Sequence, residues 1–187
     1  MNLKPQKTIA KEQVESVMSL YSKGHVKEAI DEIKSLNEQF PNVPLLFNLM
    51  GACYQSLGDI DAALQMFKTA TKIKPDYAEA HFNLGVIFKG LGKLNEAVSC
   101  FNSAITILPN YPDAHNNLGN VLVDLGQKEA AIESYEWAIA YKADYAQAYL
   151  NLAILFSKLD PIKAVDCYKK AIIIDPNYDV AYFNLAS

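Results

Sequence analysis

Gly24, Gly58, Gly92 and Gly126 lie 34 residues apart, and Asp160 occupies the next place in the series. Ala29, Ala63, Ala97 and Ala131 keep the same step, as do Pro41, Pro75 and Pro109; Ala143 then substitutes, and Pro176 resumes one residue early. A chain that repeats at this interval, in pieces with helical apolar spacing, stacks two-helix units instead of closing around one core. The expected fold is all-α, a solenoid of antiparallel helix pairs with no sheet. Such a stack offers a long curved surface and no enclosed pocket, which favours binding over catalysis.

Each unit reads as a first helix, a tight turn at the glycine, a second helix and a turn closed by proline. In the third unit the first helix is expected over 78–91 and the second over 93–108. Leu84, Phe88 and Leu91 form one apolar stripe, and Leu94, Ala97, Phe101 and Ala104 form the other. The alanines allow close approach of paired helices, while Phe67, Phe101, Tyr135 and Tyr168 are read as filling space between successive units. Gly92 suits a left-handed turn, and Pro109 a helix stop.

The repeats are expected at 10–43, 44–77, 78–111, 112–145 and 146–178, with a partial sixth at 179–187 and a flexible segment at 1–7. The first is irregular: Val17 stands where Gly51, Gly85, Gly119 and Ala153 stand later. In the fifth, Leu159-Asp160-Pro161 replaces the glycine turn, with Asp160 able to cap the next helix and Pro161 to open it. The partial sixth unit ends without its second helix. Tyr182, Phe183 and Leu185 then lack a packing partner, an expectation of either a longer natural chain or weak self-association through that end, near Tyr168 and Ile172.

The chain has 187 residues, is 51% hydrophobic, and carries a net charge of −4 without a basic tract. Its seventeen basic residues are all lysine. With no arginine there is no planar bidentate contact to phosphates or guanine edges, so nucleic acid is not an expected partner. No apolar run is long enough to span a membrane, and the N-terminus lacks the pattern of a secretory signal; a cytoplasmic location is expected. Cys53, Cys100 and Cys167 are widely spaced and read as small fillers, not as metal or redox ligands. Neither cofactor nor metal is expected.

The turn glycines, paired alanines, closing prolines and the runs Asn83-Leu84-Gly85 and Asn117-Leu118-Gly119 resemble the tetratricopeptide repeat family over residues 10–187. That resemblance implies a right-handed superhelix whose first helices line a concave face, where extended peptides bind. The runs that begin at Ala78 and Asp113 further resemble the superhelical arm of protein O-linked N-acetylglucosamine transferases, in which an asparagine ladder holds the backbone of a substrate chain. Asn83, Asn117, Asn151 and Asn184 match that ladder, whereas Asn48 is one place out of step. The charged clamp with which some members grip chaperone C-termini is not matched, since the corresponding places hold Val14, Asn48, Phe82 and Glu79.

A side-chain amide donates and accepts at once, so one per unit can satisfy a peptide's N–H and C=O groups without reading its sequence. The competing role for the same amides is to tie neighbouring first helices together. Phe82, Val86, Leu150, Ile154 and Phe183 share the ladder's face and are read as apolar groove positions, with Asn116 and Asn120 as a polar interval between them. Glu79, Asp113 and Asp124 lend the groove a mild acidic lean, partly offset by Lys89 and Lys158. His81 and His115 occupy equivalent positions, which Tyr149 and Tyr182 fill later; a tyrosine cannot replace a general base, so packing explains the slot. No catalytic constellation stands out. The expected function is a protein-interaction scaffold holding an extended peptide or partner segment. The alternative is the substrate-recruiting arm of a larger enzyme, such as a glycosyl or other group transferase, with no turnover in these residues themselves.

Overall fold

The computed structural model describes residues 9–185, so the segment 1–7 read as loose lies outside the described residues. Among the described residues there are eleven α-helices and no strand. They are α1 (Lys11–Ser22), α2 (Val26–Gln39), α3 (Pro44–Ser56), α4 (Ile60–Ile73), α5 (Ala78–Gly90), α6 (Leu94–Ile107), α7 (Pro112–Asp124), α8 (Lys128–Tyr141), α9 (Ala146–Phe156), α10 (Pro161–Ile174) and α11 (Asp179–Leu185). Odd-numbered helices are the first members of the pairs. The chain divides into two compact units, Met1–Ile87 and Phe88–Ser187, with the division near the end of α5.

The four turn glycines hold the backbone at φ +81, +78, +70 and +76. Each turn is closed by the same pair of hydrogen bonds. The glycine N–H returns to the carbonyl three residues back, and the next residue's N–H reaches five back: Gly126 to Val123 at 2.9 Å, Gln127 to Leu122 at 2.8 Å. This is the Schellman arrangement, which satisfies carbonyls the helix end leaves open and needs a residue that tolerates positive φ. At Asp160 φ is −151, and the turn works differently. The Asp160 carboxylate accepts from the Lys163 N–H at 3.2 Å and Pro161 opens α10. Helix α5 stops at Gly90, so Leu91 leaves the apolar stripe assigned to it and is 47% exposed in the turn.

In the first unit α1 packs on α2, α2 on α3 and α3 on α4. Its core holds Val17, Ile33, Leu36, Leu46, Met50 and Cys53, with Phe40, Leu49 and Met66 against it. In the second unit α6 through α11 pack in the same sequential way, around Phe101, Val121, Tyr135, Ala138, Leu152 and Tyr168. The most extensive packing is between helices adjacent in sequence, as the repeat predicts.

Two of the large aromatics, Phe67 and Tyr135, pack within their own helix pairs. A Cβ built on Gly51 would stand 2.6 Å from the Phe67 ring, and one on Gly119 would stand 2.5 Å from Tyr135. These rings press on the first helix of their own pair, where the missing side chain makes room. In the first pair the volumes are redistributed, with Val17 and Ile33 both fully buried at the equivalent positions. A larger residue on the first helix goes with a smaller one on the second.

Candidate functional site

The first-helix amides do not form a uniform ladder. In the first unit Asn83 Nδ2 donates to Asn48 Oδ1 at 2.9 Å, joining α5 to α3. In the second unit Asn151 Nδ2 donates to Asn116 Oδ1 and to Asn120 Oδ1, both at 3.0 Å, joining α9 to α7. Asn48, out of step by residue number, is therefore the acceptor for Asn83. Asn116 is its counterpart 68 residues later, again with its acceptor turned to an asparagine 35 residues on.

The turns beneath these pairs repeat as well. The Lys74 ammonium lies 5.3 Å from the centre of the Tyr77 ring, and that of Lys142 lies 4.8 Å from the Tyr145 ring. Burial and the Glu79 charge raise the Tyr77 pKa, against a hydrogen bond from Asn48. Burial raises Tyr145 too, with further contributions from its hydrogen bond to Asp113 and that carboxylate's charge, against one from Asn116. The signal for this 68-residue alternation was present in the sequence as asparagine at 48 and 116 but phenylalanine at 82 and leucine at 150. The stronger 34-residue period concealed it.

Asn117 is engaged otherwise: its Nδ2 donates to the Asp113 carbonyl one turn back at 2.9 Å, and its Oδ1 accepts from Lys89 Nζ at 3.3 Å. Asn184 lies half-buried on α11. Around Asn151 the bonds extend into a network. Gln147 Nε2 donates to Asn151 Oδ1 at 2.9 Å, the Tyr178 hydroxyl donates to Gln147 Oε1, and the Tyr135 hydroxyl donates to Asn120 Oδ1 at 2.8 Å. Three helices, α7, α8 and α9, and the turn before α11 are thereby connected.

The apolar positions assigned to a groove separate into two kinds. Leu150 is 4% exposed and Asn116 equally so, which places both beneath the surface, where Leu150 packs and Asn116 receives Asn151. Phe82 and Val86 are half-buried in the first unit. Ile154 is 46% and Phe183 74% exposed. In the second unit a cleft of about 490 Å³ opens beside Asn120 and Asn151, with Val123, Ile154 and Leu155 as its apolar part. Its charged residues are Lys89, Lys128 and Lys158 against Asp124. The acidic lean expected here is thus reversed locally: Lys128 joins the rim from the start of α8, while Asp113 is bound by the Tyr145 hydroxyl at 2.6 Å.

His81 and His115 fasten turns. His81 Nε2 lies 2.8 Å from the Pro75 carbonyl and His115 Nε2 lies 2.9 Å from that of Pro109. Each fastens a first helix to the turn before it. His115 also supports an aromatic cluster with Trp137 and Tyr141, whose rings stack at 5.7 Å and are 46% and 42% exposed. Cys53 is buried, and Cys100 and Cys167 are half-buried, all as free thiols; burial raises the pKa of Cys53 and Cys167. No helix among the described residues is long and apolar enough to cross a membrane.

Comparison with solved structures places this geometry among known helix-pair proteins. MamA superposes with a TM-score of 0.76 at 24% identity, covering 92% of this chain and 99% of that one. YrrB, described as a TPR protein with an unusual peptide-binding site, gives 0.74 at 19% identity, covering 96% and 93%. PilF of Pseudomonas aeruginosa gives 0.80 at 16%, covering 92% and 86%. At these identities the likeness concerns the fold. A comparison with curated proteins finds no match. The family model for the TPR repeat matches residues 51–92, 87–126 and 119–160, in successive overlapping stretches that together cover more than half of the chain. With its turn glycines at positive φ and its sequentially packed helix pairs, the chain belongs to the tetratricopeptide repeat family.

Proposed function

We propose that this protein is an interaction scaffold that holds an extended peptide segment of a partner along its first helices. The observation that carries this reading is the cleft between α7 and α9. Exposed apolar groups, Val123 and Ile154, sit there beside the amides of Asn120 and Asn151. Apolar surface supplies the favourable burial, and amides satisfy main-chain groups that would otherwise lose water. Asn117, Asn120 and Ile154 are the residues assigned direct contact in this unit. Asn83 and Asn151 act chiefly by fixing neighbouring first helices to one another. Phe82, Val86 and Asn83 offer the corresponding face in the first unit, and Asn184 and Phe183 in α11.

No catalytic role is proposed for residues 1–187. The His81 and His115 imidazoles are committed to turn carbonyls, and that of His25 faces the Glu28 carboxylate at 3.4 Å. The alternative, a substrate-presenting arm of a larger transferase, rests on the motif runs at Ala78 and Asp113.

Peptides selected from a display library on the whole chain provide the test, followed by amide chemical-shift mapping. Shifts are expected to concentrate at Asn117, Asn120, Ile154 and Lys158. Shifts confined to the Trp137–Tyr141 face would sink the assignment of the site, and a library that yields no binder would sink the reading itself.

A second reading concerns self-association, and a separate observation supports it. Ile173, Val180, Tyr182 and Phe183 of α10 and α11 are 73%, 51%, 47% and 74% exposed. We propose that this apolar surface pairs weakly with a second copy of the chain.

A further inference from the structure

We infer that the cleft between α7 and α9 selects acidic peptides, seating a side-chain carboxylate among Lys89, Lys128 and Lys158. The inference rests on the peptide-binding reading above and adds the chemistry of the ligand.

Three lysines and one aspartate line the cleft, a local charge of about +2 within a chain of net charge −4. The three come from separate elements, the end of α5, the first turn of α8 and the residue that follows the cap of α9. Convergence of like charges is unfavourable unless an anion relieves it. The protein supplies little relief. Among the described residues neither Lys128 nor Lys158 forms an ion pair, and Lys89 meets only the neutral Asn117 oxygen at 3.3 Å. Asp124, the carboxylate on the rim, is close enough to Tyr135 to help raise its pKa.

Asn120 adds a directional donor. Its Oδ1 already accepts from the Tyr135 hydroxyl and from Asn151 Nδ2, which fixes the orientation of the amide. The NH2 is the half left for a ligand, and it donates. A carboxylate, which only accepts, matches a rim made of ammonium groups and one amide donor. Ile154 and Val123 alongside can cover an apolar neighbour of the acidic residue.

A peptide fits this pattern better than a nucleic acid. A polyanion carries charge all along its length, and beyond one cleft it would meet a chain with twenty-one carboxylates and no arginine. Attraction limited to a few ångströms suits an isolated Asp or Glu, since surface charges farther apart than about 10 Å are screened at 0.1 M salt.

The test uses the full chain and a random twelve-residue display library. Enriched peptides are expected to carry Asp or Glu next to an apolar residue. Their affinity is expected to fall at least tenfold in the Lys128→Glu/Lys158→Glu variant and severalfold in Lys128→Gln/Lys158→Gln, with helical content unchanged by circular dichroism. Raising salt from 50 to 500 mM is expected to weaken binding to the unaltered chain and leave the Glu variant little affected. Enriched peptides that are neutral or basic, or affinities indifferent to both variants, would overturn the charge selection and leave peptide binding standing. The absence of any enriched peptide would overturn both. Tighter binding of a twelve-nucleotide oligothymidylate than of the selected peptides would also overturn the inference, in favour of a nucleic-acid site.

Discussion

The Tyr135 ring lies directly against the backbone of Gly119: a Cβ on that glycine would stand 2.5 Å from ring carbon Cε1, with two more ring atoms within 2.9 Å. Tyr135 is 2% exposed, and its hydroxyl is anchored on Asn120 Oδ1, so the ring has little freedom to retreat. One contact therefore sets the separation of α7 and α8 and also orients an amide of the candidate site.

The glycines should respond to alanine with different signs. Gly119→Ala overpacks the Tyr135 contact, and after the gain in helix propensity a net loss of about 1–2 kcal/mol is expected. Gly126→Ala meets no atom within 4 Å, but its φ of +76 costs about 1–2 kcal/mol for a residue with a Cβ. Gly90→Ala has open space and no positive φ, and should gain about 0.4–1 kcal/mol. Urea unfolding of the three variants checks the order; a stabilised Gly119→Ala would refute the contact argument.

The ladder asparagines should separate by role. Asn151→Ala removes two bonds to α7 and leaves the buried Asn116 oxygen without this donor, so a stability loss of about 1–3 kcal/mol is expected. Asn117→Ala removes a bond within its own helix and one from a lysine, and should change stability by no more than about 0.5 kcal/mol. Its effect should appear in peptide affinity instead. Equal melting temperatures for the two variants would contradict the division.

Alkaline pH should destabilise the fold. Tyr77, Tyr135, Tyr145, Tyr168 and Tyr178 all have raised pKa values, with burial as the leading cause. Unfolded phenols ionise near pH 10, so above that pH the unfolded chain binds fewer protons than the folded one. The contribution is fully present below pH 10 and is lost as pH rises beyond it. The urea midpoint should hold between pH 7 and 9 and drop by pH 11, less steeply in Tyr145→Phe. A midpoint at pH 11 equal to that at pH 8 would refute the burial of these hydroxyls.

Light scattering over a hundredfold concentration range addresses the α10–α11 surface. A rising average mass is expected, reverting to the monomer value when Tyr182 and Phe183 are both replaced by glutamate. A constant monomer mass in the unaltered chain would defeat the pairing.

The sequence by itself determined the repeat and the positions of its turns. Gly24, Gly58, Gly92 and Gly126 could be read as turns because positive φ is a local property of the backbone, and Asp160-Pro161 as their substitute because capping involves only adjacent residues. Tertiary structure decided what those local rules leave open. Phe67 and Tyr135 fill the gaps over Gly51 and Gly119 in their own pairs, since which neighbour a large ring meets depends on the distance between helices. The amides at 83, 117 and 151 share one register in the sequence, yet two of them reach a neighbouring helix and one turns back on its own, because their partners come from other units. Charge was the least legible. Lys128 belongs to a second helix and gathers with Lys89 and Lys158 only when α5, α7, α8 and α9 are packed, since the sign of a cleft is set by which charges converge in space.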